Sequence, residues 1–501
     1  MTDPWPPWPR RTLSALCAVA VVAGIAGRTW RLGLPGLSSD EAFSWRLTRY
    51  PLVEMLGRAG QDVHPPLYYV VLEAWTRALG DSIVLLRGLS VLLGLVSIGL
   101  AFAVVRVATR LEGTPRRSLE AASLAAALLA IHATQIAQSR NARMYALGTV
   151  LALASAWLVL RAPRASSRRL PWWMAWGLAA AAAGATHYYL LFTIAGQGLW
   201  VLSSRPRARA RDLAGAAAVG IAVFAPWAPV FWRQVRQVRA DYWIPPLTAG
   251  DLAAGVARWA IGCDLSSAAP LAAVLVVASI AAAACGGGRA GRFFAVQAIA
   301  PWVLGLAASA VSGRPIVLDR YMLFAEAFLL CAWAVAVATI ERPLLRIAAA
   351  ALLLVVLGVG TWSTVRAIPV DSPAMANAAR FLKRQAGASD LVVVDSPRAL
   401  NKLRYYARQA GGERLDIRCA LPERVPLSPH VSHVVSLAAG DAVAADAVFA
   451  AGADTVWRGR ESTAAPEPAP AGWAITYAQI FEGGEATRFG LVRYGREAAA
   501  P

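Results

Sequence analysis

Residues 82–105 read SIVLLRGLSVLLGLVSIGLAFAVV, an apolar stretch in which Arg87 is the one charged side chain. A helix of about 20 such residues crosses a bilayer with its backbone polar groups bonded internally. Comparable stretches recur up to about residue 365, and the chain of 501 residues is 57% hydrophobic and 16% charged. A soluble domain carries roughly 25% charged residues. The composition therefore excludes a soluble enzyme and a disordered chain, and it predicts a polytopic α-helical membrane protein.

Apolar stretches of this kind predict about eleven transmembrane helices. They lie at residues 12–30, 82–105, 119–137, 145–160, 172–187, 189–203, 213–231, 268–285, 293–311, 322–340 and 347–365. The first stretch is long for the apolar region of a signal peptide, so we expect it to be retained as a span.

Arginines in the short connections predict the orientation of the chain. With about eleven spans, every Arg-rich loop falls on the same side as Arg10 and Arg11, and the positive-inside rule makes that side cytoplasmic. The loop arginines are Arg106, Arg110, Arg116, Arg117, Arg161, Arg164, Arg168, Arg169, Arg205, Arg207, Arg209, Arg211, Arg289, Arg292, Arg342 and Arg346. Topology therefore explains most of the net charge of +19, and no nucleic-acid partner is expected.

The long connections are predicted to lie on the opposite side of the inner membrane, outside the cytoplasm. We interpret residues 1–365 as a transmembrane domain with an outer loop at 31–81, and residues 366–501 as an extracytoplasmic domain. Two further long connections, 232–267 and 312–321, are predicted on the same outer side.

The tail is predicted to be a small α/β domain. Residues 391–395 form an apolar run of buried-strand length, and Gly483-Gly484 is typical of a hairpin turn. The predicted elements are helices at 373–386 and 397–410 and strands at 391–395, 431–435, 473–480 and 488–494. The tail contains neither GxGxxG nor a P-loop, so nothing in it indicates a nucleotide site.

Asp40 and Glu41 are adjacent carboxylates at the start of the first outer loop. Ionisable groups close to a membrane are costly, which makes them functional candidates. The same two residues could instead serve the first turn of a helix that Ser38 or Ser39 caps. On the residues alone, both interpretations stand.

A rigid turn follows in the same loop, at Asp62-Val63-His64-Pro65-Pro66. The prolines restrict the backbone and hold His64 extended, so the turn could present Asp62 and His64 to a substrate or a metal. The alternative is a loop histidine whose hydrogen bonds are satisfied locally.

Two arginines stand just before Tyr145, on the side where positive charge is sparse. Arg140 and Arg143 are spaced i,i+3, so on a helix they would share a face. The planar donor fork of arginine suits phosphate. The alternative is pairing with Asp40, Glu41 or lipid headgroups.

Arg320 and Tyr321 stand in a short outer connection before the tenth predicted span. Arg320 is again a candidate to bind an anionic ligand, and the alternatives are a salt bridge to Asp319 or anchoring to lipid headgroups.

Neither nucleotide sugars nor ATP are present outside the cytoplasm, so group transfer there needs a lipid-borne donor. Arginines would stabilise its phosphate as it leaves, and a carboxylate would take the proton of the acceptor hydroxyl.

These motifs, in this order, resemble those of the GT-C superfamily of polytopic glycosyltransferases. The likeness is to the bacterial branch with protein O-mannosyltransferase-like and lipid A aminoarabinose transferase-like enzymes, and it covers roughly residues 10–340. The matching segments are SDEA at 39–42, HPPLYY at 64–69, SRNARMYAL at 139–147 and RY at 320–321.

The resemblance implies a role for each candidate. Asp40 is the expected base, Glu41 a supporting acid, and Arg140 and Arg143 the expected donor-phosphate contacts. The implied substrate-binding set is His64, Arg140, Arg143, Tyr145, Arg320 and Tyr321. Some relatives bind a divalent metal near their acids, so the candidate metal ligands are Asp40, Asp62 and His64; no other cofactor is expected.

The expected function is an inverting transfer of a sugar from a polyprenyl-phosphate donor to a hydroxyl of a lipid, glycan or protein of the envelope. Membrane lipids are the expected surroundings. Two alternatives remain: a lipid or glycan transporter or flippase, and a polysaccharide ligase or polymerase that uses a diphosphate-linked glycan.

Overall fold

The structure is a computed structural model, mostly helical, that falls into two compact units. It describes residues 8–110, 115–162, 169–204, 206–240, 244–263, 268–369, 373–421, 435–438, 440–445, 447–450, 453–461, 467–483 and 488–497. The first unit comprises Met1–Trp30, His64–Val71 and Arg87–Ala367, and the second comprises Arg31–Val63, Leu72–Leu86 and Ile368–Pro501.

The helices are numbered in chain order, and α4 and α5 contribute residues to both units. They are α1 (Trp8–Thr29), α2 (Ser39–Leu47), α3 (Leu52–Gln61), α4 (Leu67–Leu79), α5 (Ile83–Thr109), α6 (Pro115–Ile131), α7 (Ala133–Ser139), α8 (Tyr145–Arg161), α9 (Arg169–Thr186), α10 (Leu190–Ser204), α11 (Pro206–Phe224), α12 (Ala228–Ala240), α13 (Ala249–Ile261), α14 (Ala269–Gly286), α15 (Gly288–Ser312), α16 (Leu323–Thr339), α17 (Pro343–Arg366), α18 (Ala374–Gln385) and α19 (Pro397–Gln409).

Seven helical segments in the described part of the chain are long and apolar enough to cross a membrane, or eight if the bent pair α6–α7 is one span. The three other predicted spans coincide with α8, α9 and α10. Helices α8 and α10 have only 17 and 15 residues, and α9 is rich in alanine. The prediction of a multi-pass helical membrane protein is confirmed, and the count of eleven spans stays a prediction.

Helix α16 forms the core of the first unit. In its candidate span 89% of the residues are buried, and it packs against α6, α8, α14 and α15. Small residues permit this close packing, as they do in many membrane proteins. A Cβ atom on Gly148 of α8, for example, would lie 2.3 Å from Cε1 of Phe324.

A polar cluster lies at the 62° bend between α6 and α7, where His132 interrupts the helix. Its Nδ1 lies 2.9 Å from Oε1 of Glu326, and its Nε2 lies 3.1 Å from the carbonyl oxygen of Ala260. Gln135 donates to the same Glu326 oxygen at 3.0 Å. Because His132 and Glu326 are both fully buried, these bonds are needed to offset the cost of taking charged groups out of water. The cluster joins the bend to α13 and α16.

The second unit contains a sheet with strand order β3-β2-β1-β4-β6-β5 in its described residues. Strands β1, β2, β3 and β4 pair in parallel, and β6 runs antiparallel to both β4 and β5. All four residues of β1 are buried, as its unbroken apolar run predicts. The strands are β1 (Leu391–Val394), β2 (Asp416–Leu421), β3 (Ala442–Ala444), β4 (Thr455–Arg460), β5 (Trp473–Glu482) and β6 (Arg488–Arg496).

Much of the predicted α/β tail is confirmed: α18, α19, β1, β5 and β6 lie where the sequence predicts them. The sequence pattern does not predict β2, β3 or β4. In β2 and β4, arginines interrupt the apolar residues, although three residues of each strand are buried. Of the predicted strand at 431–435, residues 431–434 lie outside the described residues, and so does Gly484 of the predicted turn.

Most of the loop at residues 31–81 belongs to the second unit, although the sequence predicts it as part of the transmembrane domain. Residues 31–63 and 72–86 form one compact unit with the tail, and residues 64–71 belong to the first unit. Helices α2 and α3, which carry the acidic candidates, are therefore held by the α/β domain.

Candidate active site

Helix α2 begins with a capping box, and Glu41, one of the two acidic candidates, forms part of it. The hydroxyl of Ser38 accepts the backbone N–H of Glu41 at 3.2 Å, and Oε2 of Glu41 accepts the backbone N–H of Ser38 at 2.9 Å. Glu41 is 2% exposed, whereas Asp40 beside it is exposed. The helix-capping interpretation therefore accounts for Glu41. It leaves the carboxylate of Asp40 at the surface of the first turn.

Asp62 and His64 lie in the connection between α3 and α4, in different units. Asp62 is the C-cap residue of α3 and is buried, and its backbone N–H donates to Arg58. His64 precedes the two prolines that lead into α4, and it belongs to the first unit.

In the first unit, His64 lies beside Arg143. The guanidinium of Arg143 is buried, donates through Nη1 to the hydroxyl of Tyr69 at 3.3 Å, and has Nη2 3.5 Å from Nε2 of His64. The structure thus brings the second-loop motif and the arginine motif together. A buried arginine between polar side chains is suited to an anionic ligand.

Arg140 is directed elsewhere. Helix α7 ends at Ser139, so Arg140 and Arg143 do not share a helical face, and the helical i,i+3 argument fails for this pair. Through Nη1, Arg140 donates to the carbonyl oxygens of Gly27, Arg28 and Trp30 at 2.9, 3.2 and 2.7 Å. The last carbonyls of a helix lack internal partners and attract a cation. The structure thus gives Arg140 the role of capping α1.

His187, which the sequence analysis does not single out, is surrounded by aromatic rings in the first unit. It lies buried between α9 and α10, and the backbone N–H of Tyr189 donates to its Nδ1 at 3.3 Å. A ring that accepts at Nδ1 carries its proton on Nε2 in the neutral form. The neighbouring ring centroids lie 5.3 to 6.3 Å away, in His64, Tyr145, Tyr189, Tyr321 and Phe324.

The motif at Arg320-Tyr321 lies in a short 3₁₀ turn before α16. Tyr321 is buried, with its ring 4.9 Å from that of Tyr189, and Cζ of Arg320 lies 5.6 Å from the centroid of Tyr321. Asp319 forms its salt bridge with Arg258 at 2.8 Å and accepts the backbone N–H of Arg320. The acid next to Arg320 is therefore paired mainly with another arginine.

In the part of the chain that the structure describes, Asp40, Asp62 and His64 do not come together as a group of metal ligands. No group of three or more His, Cys, Asp and Glu residues there is placed to hold a metal ion. A divalent metal held by Asp40, Asp62 and His64 therefore stays an expectation, and no chemical step below depends on it.

Of the predicted substrate-binding residues, the structure gathers His64, Tyr145 and Tyr321 around His187, with Arg143 beside His64 and Arg320 beside Tyr321. A buried arginine, tyrosine hydroxyls and a histidine can bind the oxygens of a phosphate, and aromatic rings can pack against a sugar or an isoprenoid chain. The missed His187 had one sequence signal, a histidine followed by two tyrosines between two apolar stretches.

One segment of the chain matches a known protein family. Residues 63–231, which include His64, Arg143 and His187, match the family model described as "Dolichyl-phosphate-mannose-protein mannosyltransferase". No curated protein matches the chain.

Solved structures share its fold at low sequence identity. The apo structure of ArnT from Cupriavidus metallidurans has a TM-score of 0.62 at 13% identity, over 95% of this chain and 97% of ArnT. ArnT bound to undecaprenyl phosphate has a TM-score of 0.58 over the same shares, also at 13% identity. The Archaeoglobus fulgidus oligosaccharyltransferase complex with zinc and sulfate has a TM-score of 0.51 at 12% identity, over 88% of this chain and 67% of that one. Residues 63–231 therefore resemble this mannosyltransferase family, and the chain shares the fold of ArnT and of the archaeal oligosaccharyltransferase.

Proposed function

We propose that the protein transfers a sugar, with inversion, from a polyprenyl-phosphate donor to a hydroxyl of an envelope lipid, glycan or protein. The observation that carries the proposal is the buried guanidinium of Arg143 between Tyr69 and His64. Two relatives support a lipid phosphate as donor: one ArnT structure has undecaprenyl phosphate bound, and the matching family model is named for dolichyl-phosphate-mannose.

The donor phosphate would be bound by Arg143, with the hydroxyl of Tyr69 as a neutral partner. Charge on the phosphate oxygens grows as the glycosidic bond breaks, so a fixed cation stabilises the transition state more than the ground state. His187 would contribute its ring to the same cluster, and Arg143 would be the cation that binds the phosphate.

The reaction would be a single displacement. Asp40, exposed on the first turn of α2, would accept the proton of the acceptor hydroxyl. At the same time, the oxygen of that hydroxyl would attack the anomeric carbon of the sugar. The bond from that carbon to the phosphate oxygen breaks, and the electron pair leaves with the polyprenyl phosphate. Attack from the face opposite the leaving group inverts the anomeric configuration. Glu41 would support Asp40 through the capping box.

We place the reaction at the outer face of the inner membrane, with the α/β domain on the same side. The support is the distribution of loop arginines, which the positive-inside rule assigns to the cytoplasm. A reporter active only in the cytoplasm, fused after residue 400, should be inactive; strong activity would contradict this orientation.

A transporter would use ionisable groups inside the helical unit, and His132 and Glu326 are such groups. Their contacts with Ala260 and Gln135 join helices, so we assign them a structural role.

The test is a transfer assay with the purified full-length chain in lipid nanodiscs. Labelled monosaccharides on polyprenyl monophosphate and oligosaccharides on polyprenyl diphosphate are offered as donors, and NMR determines the anomeric configuration of the product. Transfer from the monophosphate donor with inversion supports the proposal. Turnover with the diphosphate donor alone would favour a ligase, and retention of configuration would exclude single displacement. Arg292→Ala, which removes an exposed arginine bonded to its own helix, is the control for loss of positive charge.

A further inference from the structure

The helix that carries Asp40 is bound to the tail just before its first turn. The backbone N–H of Leu37, one residue before the N-cap Ser38, donates to the hydroxyl of Tyr406 at 2.6 Å. Both Leu37 and Tyr406 are buried. The approach is close, since a Cβ on Gly36 would lie 3.3 Å from Pro373. The chain entering α2 therefore has little freedom to shift.

The other end of α2 is bound to the tail through a buried carboxylate. Oδ2 of Asp441 accepts from Nη2 of Arg46 at 2.8 Å and from the backbone N–H of Ala438 at 2.6 Å. Its Oδ1 accepts from Nη1 of Arg404 at 2.5 Å. Burial alone raises the pKa of Asp441, but the bond from Ala438 and the two arginines outweigh it and lower the pKa.

One face of the last turn of α2 rests on the same tail helix, α19. The ring of Trp45 packs edge-on against Tyr405, with centroids 5.2 Å apart. Its Nε1 donates to Oδ2 of Asp81 at 3.0 Å, and Arg408 of α19 donates to the same oxygen at 3.1 Å. Both helix ends and one face of α2 are thus held by contacts within the second unit.

A nine-residue helix is too short to be stable alone, so these contacts determine its orientation. We propose that the tail is a positioning domain, in which Tyr406 and Asp441 hold α2 so that Asp40 is oriented as the base. This inference rests on the proposed function, and it gives the α/β domain a role that does not require it to bind substrate. A displacement of about 1 Å in a catalytic group can cost about 10²-fold in rate.

The test begins with Tyr406→Phe, which keeps the ring and removes the acceptor of Leu37. We expect kcat to fall about 10- to 100-fold while the donor KM and the thermal unfolding midpoint stay near wild type. Hydrogen exchange of amides in the first turn of α2 should become faster. The matched control is Tyr494→Phe, because that hydroxyl donates to a carbonyl of Glu467 in the same unit without contacting α2. Unchanged kcat in Tyr406→Phe would overturn the inference.

A double variant separates positioning from general damage. If Tyr406 acts through Asp40, adding Tyr406→Phe to Asp40→Asn causes no further loss of kcat. Losses that multiply would show that Tyr406 acts independently of Asp40 and would overturn the inference. If Asp40→Asn alone is silent, the proposed base fails and the positioning role fails with it. If Asp40→Asn is slow and Tyr406→Phe is silent, the positioning role alone fails. Asp441→Asn repeats the test at the other end of α2, with Asp416→Asn as the control because the half-buried Asp416 pairs with Arg418 of its own strand.

Discussion

Replacing Arg143 by alanine should weaken binding of the donor lipid far more than it disturbs the fold. The guanidinium is 3% exposed, and its two terminal nitrogens face Tyr69 and His64. One hydrogen bond to a charged group contributes about 1.5–3 kcal/mol, so losing one such bond to phosphate should raise the donor Kd about 10- to 150-fold. Arg143→Lys should recover only part of the affinity, because an ammonium lacks the bidentate fork.

The assay is titration of the purified protein in nanodiscs with undecaprenyl phosphate, followed by calorimetry. Arg292→Ala serves as the control because its side chain is exposed. Thermal unfolding of each variant shows whether the fold is kept. Wild-type affinity in Arg143→Ala would refute the phosphate role, and full recovery in Arg143→Lys would refute the argument from the planar fork.

Three further changes should separate structural groups from substrate-binding groups. Arg140→Ala removes the cap of α1, so it should lower the free energy of unfolding by about 1 kcal/mol. It should leave the donor Kd unchanged in the same titration. Glu326→Ala leaves buried His132 without its carboxylate and should destabilise the protein by about 3–5 kcal/mol, measured by unfolding in detergent. The fold lowers the pKa of Asp441, so its ionised form stabilises the second unit at neutral pH. That stabilisation should be lost as the pH falls from about 3.9, the ordinary pKa of aspartate, through the lowered pKa of Asp441 in the folded protein. Over that pH range the unfolding midpoint of Asp441→Asn should decrease less than that of the wild type.

Hydropathy made the membrane spans predictable because each span is a local property of about 20 residues. The same holds for β1, whose four buried residues are consecutive in the sequence. A function class could be proposed from the sequence because the motifs at Asp40, His64 and Arg143 each occupy a short segment.

Roles that depend on distant contacts could not be predicted from the sequence. Arg140 caps carbonyl groups that lie 110 to 113 residues away, and the sequence spacing to Arg143 gives no sign of this. Arg46 and Asp441 are 395 residues apart in the sequence, so nothing in the sequence indicated that the first loop contacts the tail. His187 acquires its aromatic neighbours only when four separate segments come together.

The most direct measurement is the turnover of Asp40→Asn with a polyprenyl-phosphate sugar and a hydroxyl acceptor, in purified full-length protein. Asparagine keeps the size of the side chain but cannot take the proton. We predict that transfer falls by about 10²–10⁴-fold, while donor affinity and the unfolding midpoint stay near wild type and Asp416→Asn remains fully active. Near-wild-type turnover in Asp40→Asn would contradict the account, because Asp40 would then be a surface residue of a capped helix and the base would have to be sought elsewhere.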